Sequence, residues 1–187
     1  MNHYYKKVLE LPDRCQFFAA VMINNRDLIP KVEKFIEQKF SKIEMRSQVF
    51  SFTHSKYYNR EMGDNLYKYF ISCEKLIDKE ELPDIKISTM KIEDEFLFFK
   101  DGYKCRSANI DPGYLTHSKV ILSTSKNYSH RIYIGKGVFA ELTYVISHEG
   151  WKTLDWTYPD YRDKDSINFF LTLRTKYLEN KRELKQK

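Results

Sequence analysis

The chain has 187 residues, of which 42% are hydrophobic and 16% aromatic, with a formal net charge of +6 and a pI near 9.0. That length and apolar content suit one domain with a substantial core and exclude a largely disordered chain. The 32 basic and 26 acidic residues are interspersed, so the mild positive excess favours anionic partners without forming the basic block of a nucleic-acid arm.

The run Phe17 to Ile23, FFAAVMI, predicts a buried strand. It is shorter than the roughly 18 residues of a membrane span, and no small-residue cleavage site follows it. NNRD then supplies capping residues, and Leu28, Val32, Phe35, Ile36 and Phe40 recur at helical spacing with Pro30 in the first turn. QVFSFT predicts a second strand and HSKYYNREMGDN a loop. LYKYFISCEKLI predicts a third strand. A helix starting near Asp78 follows, with Leu82, Ile85, Thr89, Ile92 and Phe96 on one face, and RSANIDPGYL makes a fourth strand. This β-α-β-β-α-β order predicts an α+β fold of the split βαβ, or ferredoxin-like, kind, with an antiparallel sheet and helices on one face.

Two hairpins extend it: Lys119 to Thr124, then Arg131 to Ile134 turning at Gly135-Lys136-Gly137 into Val138 to Ile146. Beyond EGWKTLDWTYPDYRD, a final helix carries Ile167, Phe170, Leu171, Tyr177 and Leu178 on one stripe, and NKRELKQK predicts a frayed, solvated tail. The expected organisation is a single domain over 1–187. Its ferredoxin-like core occupies about 15–116, a hairpin extension about 117–150 and the C-terminal helix about 165–182. Cys15, Cys73 and Cys105 are odd in number and lack Cys-x-x-Cys spacing. They support neither a disulfide framework nor a zinc knuckle and point to a reduced, cytoplasmic setting.

The blocks YYNREMG, IKISTMKIE, NIDPGYL, SKVILSTSKNYSHRIYIGKGVFAE and WTYPDYR occur in that order. Together they resemble a bacterial family of small proteins classed as a domain of unknown function, and the resemblance spans nearly the whole chain. It implies kinship and no activity. A GTP-binding label carried by some relatives calls for a P-loop, G-x-x-x-x-G-K-[ST], and nothing here matches it. The GKG at 135–137 holds its lysine between glycines in a hairpin turn, with no following helix to aim amides at a phosphate.

The densest set of chemically able side chains lies in the hairpins. Glu141 falls opposite Arg131 if the turn loop is Gly135-Lys136-Gly137, and opposite His130 if it is Gly135-Lys136. As a plain cross-strand ion pair this contributes on the order of 0.2–1 kcal/mol. With Lys119 and Asp111 from the neighbouring strands, the same residues gather two cations, an imidazole and two carboxylates. Such a set suits a phosphate-bearing ligand, a nucleotide or RNA, with arginine as a planar fork and lysine as a point charge. Trp156, Tyr158, Asp160 and Tyr161 of WTYPDYR place rings beside polar groups, a mix that stacks a base or collars a sheet edge. The alternative is a hydrolase or transferase with His130 as general acid or base oriented by Asp111 or Glu141. A third reading is a non-catalytic interaction module. No ligand spacing recommends a metal, the sequence leaves any cofactor unknown, and Asp111-Pro112-Gly113 reads as a turn or bulge. THSK at 53–56 and 116–119 lacks the His-x-Ser spacing that would turn both polar groups to one face of a strand.

Overall fold

The computed structural model describes residues 12–147 and 150–186, the last three by backbone alone. In chain order the elements are β1 (Cys15–Ile23), α1 (Ile29–Lys39), β2 (Ile43–Arg46), β3 (Phe50–Ser51), α2 (Asn59–Met62), β4 (Tyr67–Ile77), α3 (Leu82–Asp94), β5 (Leu97–Lys100), β6 (Tyr103–Arg106), β7 (Ala108–Leu115) and β8 (Lys119–Thr124). Then come β9 (Arg131–Gly135), β10 (Val138–Ser147), β11 (Gly150–Thr153), α4 (Pro159–Arg162) and α5 (Lys164–Gln186). The fold is α+β, with a large antiparallel sheet running β11-β10-β8-β7-β1-β4-β2. Among the described residues no helix is long and apolar enough to cross a membrane.

Every residue of β1 is buried, and its alternation divides the core. Phe17, Ala19, Val21 and Ile23 face Val32 and Ile36 of α1 and Ile85 and Ile92 of α3. Phe18 and Ala20 face the other way, toward Phe70 of β4 and Phe169, Phe170, Leu173 and Tyr177 of α5. The final helix therefore covers the sheet face opposite α1 and α3. Phe70 anchors this second layer, with the rings of Tyr161, Phe169 and Phe170 at 5.1, 5.6 and 5.2 Å. Burying one such ring contributes about 1.5–3 kcal/mol.

Several local expectations are corrected. The strand expected over QVFSFT shrinks to Phe50 and Ser51, which pair with Lys68 and Tyr67, and an unexpected strand, Ile43–Arg46, precedes it and pairs with the Ile71–Cys73 stretch of β4. The expected loop 54–65 contains the helical turn α2, closed by Gly63 at φ +95°. A separate β5–β6 hairpin, which the sequence pattern does not predict, precedes β7. The tail continues α5 to Gln186, with Lys187 outside the described residues, and Leu171 lies on the solvent side of that helix.

Asp111-Pro112-Gly113 is regular strand: Asp111 pairs with Ala20, Pro112 with Ala19 and Gly113 with Phe18. Glycine is required at 113 by space. A Cβ there would lie 2.3 Å from the Ile121 carbonyl oxygen and 2.4 Å from Cζ of Phe18. In the β9–β10 hairpin, Gly135 pairs with Val138 around Lys136-Gly137, and a register shift then sets Glu141 opposite Arg131. Of the two registers open from sequence, the Arg131 one is adopted, although the bulge rather than a three-residue loop produces it.

Candidate functional site

The sheet opens between β7 and β8. Those strands pair only from Gly113–Leu115 to Val120–Leu122, so the first half of β7 lacks a strand on that side. Its backbone groups are satisfied by side chains instead. The Ile110 N–H donates to Oε1 of Glu93 at 2.7 Å, and its carbonyl accepts from Lys86 Nζ at 3.1 Å. Pro112 has no N–H to satisfy, and its carbonyl accepts from the Ser123 hydroxyl at 2.7 Å. Two turns of α3 separate Lys86 from Glu93, so the pair lies on one helix face and substitutes for the missing strand.

A cavity of about 400 Å³ occupies this opening, within the usual range of ligand pockets. Lys68, Asn109 and Asp111 reach it from the sheet, Lys86 and Glu93 from α3, and Thr124, Ser125 and Lys126 from the end of β8. Phe52, His54, Tyr57 and Tyr58 of the loop before α2 close one side, and Tyr158, Asp160 and Tyr161 another. Strand pairing explains the floor: Met22 lies opposite both Lys68 and Asn109, so these side chains share one face of three adjacent strands.

Most of the buried charge here is internally matched. Lys68 meets Asp160 at 2.5 Å, Lys86 meets Asp111 at 2.8 Å, and Arg106 bridges Glu93 and Glu61. Burial pushes the Asp111 carboxyl up, but Lys86 and the amide of Asn109 outweigh it and hold the group below its ordinary value. For Glu93 burial prevails over Lys86 and Arg106, and its carboxyl is raised. Lys126 differs: among the described residues it has no carboxylate partner. Its ammonium donates to the Tyr57 hydroxyl at 2.8 Å and lies 3.9 Å from the centre of that ring.

The predicted cluster is partly assembled. Glu141 is 1% exposed, and its Oε2 contacts His130 Nε2 at 2.9 Å and accepts from Arg131 Nε at 2.8 Å. His130 also stacks on Trp156, with ring centroids 5.0 Å apart, while the Trp156 indole N–H donates to the Leu142 carbonyl. Arg131 connects this cluster to the cavity. Its Nη2 donates to the Tyr158 hydroxyl at 2.7 Å and its Nη1 to the Lys126 carbonyl at 3.0 Å. Both partners line the cavity, so His130, Arg131 and Glu141 brace its rim from behind.

Asp111 and Lys119 do not join that cluster. Asp111 is held by Lys86 and Asn109. Lys119 is three positions along β8 from Leu122, the residue opposite Glu141, and an odd separation puts it on the other face of the sheet. The GKG turn binds Asp84 through Lys136 at 2.5 Å. Of the two THSK histidines, His54 pairs with Asp163 at 3.0 Å, whereas His117 offers its carbonyl to Arg174. Among the described residues no group of three or more His, Cys, Asp or Glu side chains gathers as metal ligands.

Sequence reasoning missed Lys68, Lys86, Glu93, Asn109 and Lys126. Two signals existed: Lys86 and Glu93 interrupt the apolar face of α3 seven residues apart, and Lys68 shares strand parity with buried Phe70 and Ser72.

Fold and site define a mixed α+β protein with a charged, aromatic-rimmed cavity where its antiparallel sheet splits. The chain belongs to the family described as a domain of unknown function (DUF4416), whose model matches residues 13–177. No curated protein and no solved structure matches the chain.

Proposed function

We propose that the protein binds a small phosphate-bearing ligand, of nucleotide size, in the cavity between β7 and β8. The observation that carries this reading is Lys126, the cavity-lining cation without a carboxylate partner among the described residues, set beside the hydroxyl run Thr124-Ser125 and the rim tyrosines. An ammonium paired only with a phenol and a ring gains more from a phosphate than one already matched by a buried carboxylate. The 400 Å³ volume favours a mononucleotide over RNA, since a polymer needs an open basic track and Lys119 lies on the other sheet face. The ligand site expected from sequence at Lys119, His130 and Arg131 thus moves to the sheet opening, with Arg131 holding Tyr158 and Lys126 in place.

The His130–Glu141 contact supports the hydrolytic or transfer alternative as well, but His130 does not line the cavity and Asp111 is committed elsewhere. We also take β7-β1-β4-β2, with α1 and α3 on one face, as a ferredoxin-like core over about 15–116 within one domain. The hairpin extension over about 117–150 includes residues 148–149, which lie outside the described residues, as do residues 1–11 of the domain. Three buried free thiols support a reducing, cytoplasmic setting.

Calorimetric titration with the common nucleoside 5′-monophosphates and inorganic phosphate, at two salt concentrations, tests the reading. Losing one charged hydrogen bond costs about 1.5–3 kcal/mol, so Lys126→Ala weakens binding about 10- to 100-fold while Lys119→Ala leaves it unchanged. Absence of binding by every phosphate compound, or indifference to Lys126→Ala, refutes it.

A further inference from the structure

Asp111 is distinguished from the other carboxylates at the sheet opening by what it leaves accessible. Its side chain is 26% exposed, against 7% for Glu93 and 2% for Asp160, and it lines the cavity. Side-chain donors occupy one site on each of its oxygens: Lys86 donates to Oδ1 at 2.8 Å and Asn109 to Oδ2 at 2.7 Å. A carboxylate offers about four lone-pair sites, so each oxygen retains capacity for another donor.

The neighbours fix this acceptor. Lys86 is anchored a second time on the Ile110 carbonyl, and the Asn109 amide is oriented by its bond to Asp111. The carboxylate is held on both sides before any ligand arrives, which lowers the ordering cost of binding. Lys86 cancels its charge, so a phosphate nearby meets a neutral pair. A second anionic group placed directly on its oxygens would still be repelled.

Building on the proposed phosphate site, we infer that Asp111 accepts a hydrogen bond from a hydroxyl or amino group at the uncharged end of the ligand. The occupant is then a phosphate ester of a donor-bearing organic group, such as a nucleotide or sugar phosphate, and neither inorganic phosphate nor a dicarboxylate. A purely structural Asp111, serving only to neutralise Lys86, would be indifferent to such donors. Sites built around a hydrogen bond discriminate against analogues lacking it, because the bound analogue displaces water from the acceptor without replacing its donor.

The experiment compares the tightest-binding nucleoside 5′-monophosphate with its 2′,3′-dideoxy form, its form lacking the exocyclic amino group where the base carries one, ribose 5-phosphate and inorganic phosphate. The unmodified protein is used first. Inorganic phosphate should bind at least about tenfold more weakly than the nucleotide, and one donor deletion should cost about tenfold or more. In Asp111→Ala, which removes both carboxylate oxygens, the same deletion should cost nothing further, since the acceptor it addressed is gone. If esters bind but every donor deletion is without effect on the unmodified protein, the inference falls while the phosphate site stands. The inference falls in the same way if the deletion costs as much in Asp111→Ala as in the parent. Should no phosphate compound bind, the cavity assignment fails and this inference with it. The comparisons on the unmodified protein decide the matter even if Asp111→Ala does not fold.

Discussion

Replacing Glu141 with glutamine tests whether the hairpin cluster is a buried brace or a surface pair. In the folded chain one carboxylate oxygen meets both His130 and Arg131, and the side chains are closed in, at 1% exposure for Glu141 and 9% for Arg131. Removing a partner from a buried pair outright costs about 3–5 kcal/mol, much of it from the charge left behind. Glutamine keeps an oxygen in place, so the loss is smaller. An ion-paired hydrogen bond becomes one from a charged donor to a neutral oxygen, and the Arg131 guanidinium loses its counter-charge. The net expectation is a destabilisation of about 2–3 kcal/mol, above the 0.2–1 kcal/mol of an exposed cross-strand pair. Urea unfolding measures this as a midpoint lowered by about 1 M at unchanged slope. Lys136→Ala is the matched control, because the Lys136–Asp84 pair is more than half exposed at both ends. It should change stability by less than about 1 kcal/mol. A Glu141→Gln effect equally small would refute the buried brace and its hold on the cavity rim.

Gly113→Ala should destabilise the protein by at least about 1–3 kcal/mol, the range for forcing an extra methyl into a packed core, because backbone on β8 blocks one side and the Phe18 ring the other. Urea unfolding that shows no loss would contradict that close approach. The pH dependence should bend in opposite senses on either side of the carboxylate range. Asp111, lowered from 3.8, contributes stability that is present above that value and lost as pH falls through its folded value. Glu93, raised from 4.5, binds its proton more readily folded than unfolded, so stability falls as pH rises from 4.5 through its folded value. Urea midpoints from about pH 3 to about pH 7 should therefore show Asp111→Asn flattening the acid limb and Glu93→Gln flattening the limb above it. Interchanged effects would overturn the assignment.

Much of the fold was legible because periodicity is a local property. β1 reads as a buried strand since all of FFAAVMI is apolar, and α1 and α3 read as helices since their apolar residues recur every three or four positions. The glycines of the β9–β10 turn announce positive φ, and Glu141 could be matched to two partners. Choosing between those partners required the bulge, whose position depends on how β10 is held by β8 as well as β9. The cavity was not legible at all. It exists because β7 and β8 pair for only part of their length, and that length is a compromise among packing of both strands, α3 beneath them and α4 beside them. Lys86 and Glu93 interrupt the apolar face of α3, but the strand edge they complete is not visible in one dimension. Local periodicity marks most of the residues that turn inward along the elements, but it sets Leu171 inward and leaves out Lys86 and Glu93. Which charges meet across the sheet opening is set by the tertiary fold, since those pairs join residues 13 to 92 positions apart and no local pattern records them.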